Sequence, residues 1–208
     1  MSQSLPIRIA VLVSGHGRGS NLQALLVGCD RGEINGTIVV VIGTRSDAPA
    51  LQLSQKAGAD TKVVSPTNYV DDEEAYGCKI LSILKGFEVD LICLAGYMRV
   101  LPLSIVQEYS GRILNIHPSL LPKFGGKGMF GENVHKAVIE SGDTVSGCTV
   151  HFVDAGYDTG PIALQSTVTV DPNDTPTSLA ARVLVAEHET YVKAVSLYAN
   201  GKLLPPSK

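Results

Sequence analysis

Apolar and polar positions along this chain switch repeatedly between two periods. Ile7 to Val13 is a compact apolar run ending in Ser14-Gly15, and beyond it Leu22, Leu25, Leu26 and Cys29 recur at helical spacing. That order predicts strand, loop, helix. Thr37 to Ile42 repeats the β-branched run, Ala48 to Ala57 reads as a helix closed by Gly58, and Thr61 to Val64 reads as a short strand ahead of Ser65-Pro66. Ile80, Ile83, Leu84 and Phe87 form one apolar helix face, followed by the buried-strand run Val89 to Leu94. Such alternation predicts an α/β domain of Rossmann-like type, a mostly parallel twisted sheet with helices on both faces.

The rhythm changes after the midpoint. Ile113 to His117 reads as a strand, but Pro118 to Gly131 is punctuated by prolines and glycines and has no period. Ordered loops of that length in compact domains are usually functional. His135 to Glu140 reads as helix, Cys148 to Val153 and Ile162 to Val170 as strands, and Pro176 to Asn200 as a long helix with Leu179, Val183, Ala186, Val192, Val195 and Ala199 facing inward. With no repeat or linker in its 208 residues, the chain reads as a single domain, 1–208. Sites in such sheets lie beyond the carboxyl ends of the strands.

Composition narrows the function classes. Lys plus Arg number 17 against 20 Asp plus Glu, with no basic stripe, which argues against a nucleic-acid partner. Cys29, Cys78, Cys93 and Cys148 lie far apart without metal-ligand spacing, so they read as reduced core or near-core residues and no metal is expected. Met1 to Arg8 lacks a signal-peptide pattern and no apolar run reaches about 18 residues. A cytoplasmic protein with no membrane partner, monomer or homodimer, is the expectation.

Two stretches carry chemistry. Ser14-Gly15-His16-Gly17-Arg18-Gly19-Ser20-Asn21 joins the first strand to the first helix, where free amides and a helix start can face a phosphate and Ser20 or Asn21 can cap. The dinucleotide fingerprint needs glycine where Ser20 stands, and Gly43-Thr44-Arg45 supplies no acidic residue after the second strand. In the second stretch Asn115 and His117 are two apart on one strand, so their side chains leave the same face. Asn115 can donate to an oxygen gaining charge, and His117 can accept or relay a proton. Asp158, in the turn-rich Asp154 to Pro161 segment, can orient His117 or a proton-carrying water. His16, His135, His151 and His188 read as structural histidines. There is no Gly-x-Ser-x-Gly elbow, no cysteine set for covalent attack and no HExxH pair, which favours direct transfer without a covalent intermediate.

Together these segments resemble the folate-dependent glycinamide ribonucleotide formyltransferases of purine biosynthesis, nearly end to end. The resemblance is carried by Leu114-Asn115-Ile116-His117-Pro118-Ser119-Leu120-Leu121-Pro122, by Ala95 to Leu101, by Val150 to Val153 and by Asp158-Thr159-Gly160-Pro161. It implies formyl transfer from 10-formyltetrahydrofolate to the amine of glycinamide ribonucleotide, with Asn115, His117 and Asp158 catalytic. By the same resemblance, Met98, Arg99, Val100 and Leu101 with Ala155, Gly156 and Tyr157 hold the folate. Gly17, Arg18, Gly19, Ser20 and Asn21 hold the ribonucleotide phosphate, and Glu187 contacts its ribose or glycinamide side. Residues 1–100 would form the phosphate-binding half and 101–208 the folate-binding and catalytic half.

Three departures from the family pattern stand out. The loop Gly15 to Gly19 is richer in glycine than in many members. Glu73 stands where many have a basic residue, taken as a phosphate partner, with Arg18 as its expected substitute. Gly125 to Gly131 replaces a histidine-bearing loop and brings Lys127, which reads as solvated. The competing readings are an NADP-linked oxidoreductase, suggested by the glycine loop and Arg45, a non-catalytic nucleotide-binding module, and a formyl-folate hydrolase. The first leaves Asn115 to Pro122 unexplained, and the second would tolerate Asn115→Ala and His117→Ala in binding.

Overall fold

Along the chain come β1 (Ile7–Val13), α1 (Ser20–Asp30), β2 (Gly36–Gly43), α2 (Pro49–Lys56), β3 (Asp60–Val63), α3 (Glu73–Gly86), β4 (Leu91–Leu94), α4 (Leu103–Glu108), β5 (Ile113–His117), α5 (Glu132–Ser141), β6 (Val145–Phe152), β7 (Ile162–Thr169) and α6 (Pro176–Ala199). This is a computed structural model describing residues 5–15 and 17–205; His16 and the start of the Met1 to Arg8 segment lie outside the described residues.

The strands form one sheet in the order β3-β2-β1-β4-β5-β6-β7. β1 to β5 run parallel, as the helical crossovers between them require. β6 and β7 are antiparallel, and β7 alternates exposed and half-buried residues as a one-sided edge strand does. Central strands send alternate residues to two cores. Ile9, Val11, Leu91, Cys93, Leu114 and Ile116 pack with residues of α1, α2, α5 and α6. Ala10, Leu12, Ile92, Leu94 and Ile113 pack with residues of α3 and α4. Asn115 and His117 share the parity of Ile113, so they leave β5 on the side opposite the α5 and α6 layer.

The order reverses at β1, whose neighbours are β2 and β4, and crevices open at such points beyond the strand ends. Here the Ser14 amide donates to the Gly96 carbonyl at 3.2 Å and the Met98 amide to Ser14 Oγ at 2.8 Å. These bonds join the glycine loop to the segment after β4.

Several local expectations need correction. Neither Ser20 nor Asn21 caps α1: Gly19, left-handed at φ 78°, holds the N-cap without a side-chain bond, and Ser20 is already helical. β4 begins at Leu91 because the Val89 amide closes α3 onto the Leu84 carbonyl. Cys78 is exposed on α3; Cys93 and Cys148 are buried and Cys29 half-buried, all four free. The inward face of α6 also carries Glu187, Thr190 and Tyr191.

Candidate active site

The C-terminal end of β5 and the loop after it form one hydrogen-bonded unit. Thr149 of β6 lies opposite His117; its hydroxyl donates to the Ser119 carbonyl at 2.6 Å and accepts from the Leu121 amide at 3.0 Å. Gln165 of β7 donates to Thr149 Oγ1 and to the Leu121 carbonyl, and Ser119 Oγ donates to the Lys123 carbonyl. Pinned in this way, the chain turns back at Phe124 and Gly126, both with positive φ, 57° and 97°. The Phe124 carbonyl then meets His117 Nε2 at 2.9 Å, and the Gly126 amide donates to Asp158 Oδ2 at 3.0 Å.

Asp158 itself sits at φ 54°, a conformation Asp tolerates better than most residues. Its Oδ2 lies 3.4 Å from His117 Nδ1 and its Oδ1 3.5 Å from His151 Nε2. Asn115 Nδ2 is 3.0 Å from the same His151 Nε2. The structure therefore brings Asn115, His117 and Asp158 together, and adds His151. His151 is paired with Asn115 across β5 and β6, so both project from one face. Its sequence signal was parity: Thr149 and His151 alternate with the apolar Cys148, Val150 and Phe152.

Burial shapes the electrostatics. His117 is 4% exposed, and burial holds its pKa below the ordinary histidine value although the Asp158 charge and the Phe124 carbonyl pull it upward. Burial tends to raise Asp158, but the adjoining His151 and His117 rings and the bond from the Gly126 amide outweigh it and hold the carboxyl below its usual range. Because the Phe124 carbonyl can only accept, His117 Nε2 carries the proton; a neutral ring then turns the bare Nδ1 toward the carboxylate. The pair is one proton short.

A cleft of about 760 Å³ is lined by Met98, Arg99, Val100 and Tyr157 together with Pro66, Tyr69, Asp71, Glu73 and Tyr76. The Arg99 guanidinium lies 5.9 Å from the centre of the Tyr76 ring. Leu101 is instead buried in the α3 and α4 core, and neither Ala155 nor Gly156 lines the cleft. On the other side of β1, Asn21 Nδ2 approaches Glu187 Oε2 at 3.4 Å, and burial lifts the Glu187 carboxyl to about 7. Gly17 and Arg18 are exposed, Gly19 and Ser20 half-buried. Glu73 lines the cleft with Met98 and Arg99, whereas no described residue of Gly17 to Asn21 does. Lys127 is exposed, and among the described residues no group of three His, Cys, Asp or Glu is placed to hold a metal ion. No helix among them is long and apolar enough to cross a membrane.

The formyl transferase family matches residues 7–195. The chain belongs to that family. A chloroplastic phosphoribosylglycinamide formyltransferase of Arabidopsis thaliana is 43% identical over 188 residues, 90% of this chain and 64% of that one. The phosphoribosylglycinamide formyltransferase of Escherichia coli is 38% identical over 197 residues, covering 95% and 89%. Glycinamide ribonucleotide transformylase 1 of Symbiobacterium toebii superposes with a TM-score of 0.89 at 42% identity, over 99% of this chain and 96% of that one. The formyl transferase chain thus spans just under two thirds of the Arabidopsis relative and most of the two bacterial ones.

Proposed function

We propose that the protein transfers the formyl group of 10-formyltetrahydrofolate to the amine of glycinamide ribonucleotide, a step of purine synthesis. The observation that carries this reading is the convergence of Asn115, His117 and Asp158 beside the Met98 to Tyr157 cleft, in a chain of this family. The ribonucleotide phosphate lies against Gly17, Arg18, Gly19, Ser20 and Asn21 at the start of α1, with Glu187 toward its ribose or glycinamide. The folate lies against Met98, Arg99, Val100 and Tyr157, with backbone of Leu101, Ala155 and Gly156. The phosphate side thus draws mainly on residues 1–100 and the folate and catalytic side on 101–208; Glu187 and Met98 to Val100 cross that division.

The amine attacks the formyl carbon and forms a tetrahedral oxyanion. Asn115 Nδ2 and the Nε2 proton of His117 donate to it, the latter once the Phe124 carbonyl yields its place. The amine loses a proton, through water, to the His117–Asp158 pair, which is one proton short. That proton then goes to folate N10 as its bond to the formyl carbon breaks, so the pair ends as it began. No covalent enzyme intermediate is formed.

Incubation with 10-formyltetrahydrofolate, with and without glycinamide ribonucleotide, tests the reading through release of tetrahydrofolate. Amine-dependent release with formylated ribonucleotide is expected. Equal release without the amine means a hydrolase; no release from folded protein overturns the reading.

A further inference from the structure

Resting on the formyl-transfer reading of this site, we infer that His151 is a positioning residue that sets which end of the Asn115 amide faces the formyl group. A carboxamide has a donor end and an acceptor end of nearly equal shape. Only the donor end stabilises an oxyanion; the oxygen end repels it. Something in the site must choose between the two orientations.

His151 makes the choice through its own tautomer. The ring is 2% exposed, and its Nδ1 lies 2.9 Å from the carbonyl oxygen of Phe152. A carbonyl cannot donate, so Nδ1 carries the proton. In the neutral ring Nε2 is then a bare acceptor, and the atom it faces at 3.0 Å is Asn115 Nδ2. Asp158 Oδ1 is farther from the same nitrogen, at 3.5 Å, so the amide and not the carboxylate is the close partner of Nε2. The amide is held with its NH2 end toward His151. Asn115 is the one half-buried residue of β5, and its second N–H remains for the reacting oxygen. His151 acts through Asn115 and touches no substrate atom.

Two measurements test this. Ring nitrogen-15 NMR on the folded wild-type protein reads the tautomer without turnover: a protonated Nδ1 and bare Nε2 are expected for His151, and a protonated Nε2 overturns the inference whatever the protein catalyses. In the transfer assay His151→Leu should lower kcat by about tenfold or more, bounded by the roughly 10²–10³-fold cost of losing an oxyanion donor, with KM unchanged. His151→Gln, whose amide oxygen can accept in place of Nε2, should recover most of that loss and covers the case in which the leucine variant fails to fold. In an Asn115→Ala background the His151 substitution should cause no further fall. Full additivity there, or unchanged turnover in His151→Leu, overturns the inference; absence of transfer by the wild type overturns the functional reading instead.

Discussion

Replacing His117 by Asn removes the one ring that links the loop carbonyl of Phe124 to the Asp158 carboxylate. Asn reaches about as far as Nδ1 does, so it can still face Asp158, but it cannot span to the Phe124 carbonyl 2.9 Å beyond Nε2. It also cannot share a proton with the carboxylate. Losing a positioned acid-base group lowers turnover by about 10²–10⁴-fold, so a fall in kcat of at least about a hundredfold is expected, or about 2.7 kcal/mol of activation free energy. The Phe124 carbonyl loses its short partner and keeps only the 3.5 Å approach of Ser119 Oγ, which costs about 1–3 kcal/mol of stability. At about 2–4 °C per kcal/mol for a chain of this size, the variant melts several degrees lower but stays folded at 25 °C. The assay is kcat and KM for both substrates, with a urea midpoint as the folding control. Because burial holds the His117 pKa below the ordinary histidine value, the wild-type acid limb should lie below about pH 6.5. As pH falls the His117–Asp158 pair takes up the proton it must accept from the amine, and activity drops; the variant should lose that limb. A rise in KM with kcat intact would refute this role, because it would mean that His117 only binds substrate.

Three further outcomes follow from other parts of the fold. Glu187→Gln removes a carboxyl lifted by burial from 4.5 to about 7. A raised carboxyl stabilises the fold below its unfolded pKa, and that contribution is lost as pH rises through the folded one. Urea unfolding should therefore find the variant gaining on wild type between about pH 4.5 and 7, by up to about 3 kcal/mol, and a pH-independent difference would contradict it. Tyr191→Phe strips a buried hydroxyl that lies 3.0 Å from the carbonyls of both Leu94 and Leu114, just before the two site segments. It should cost about 1–3 kcal/mol with an unchanged urea m-value; a midpoint equal to wild type would show that those carbonyls need no partner. In Gly160→Ala the new Cβ collides with the Phe152 carbonyl oxygen, a backbone atom that cannot swing aside. The segment carrying Asp158 must shift, so transfer should fall together with stability, and a crystal structure with Asp158 unmoved would count against it.

The fold was legible where burial made long patterns. β1, β2 and β4 lie inside the sheet, and strands covered on both faces give continuous apolar runs. α6 was legible because its apolar face repeats over 24 residues. By contrast α4 has six residues and buries only Ile105 and Val106, too short for a period to establish. The direction of β6 was also hidden, since α5 before it suggests another parallel crossover; the antiparallel ladder to β5 is a tertiary choice.

Within the site the same division holds. Asn115 and His117 were legible together because a strand's period of two is local. The approach of Asp158 to His117 depends on how the loop after β6 folds back, and His151 meets Asn115 only through the β5–β6 register, which a shift of one residue would destroy. Glu73 shows why a missing charge is harder to place than a present one. It opens α3, which leaves the edge strand β3 and returns to β4 past β2 and β1. That crossover brings its first turn to the Met98 to Val100 segment after β4. The residue therefore bears on whatever occupies the cleft, and its negative charge there works against an anionic group binding beside Arg99.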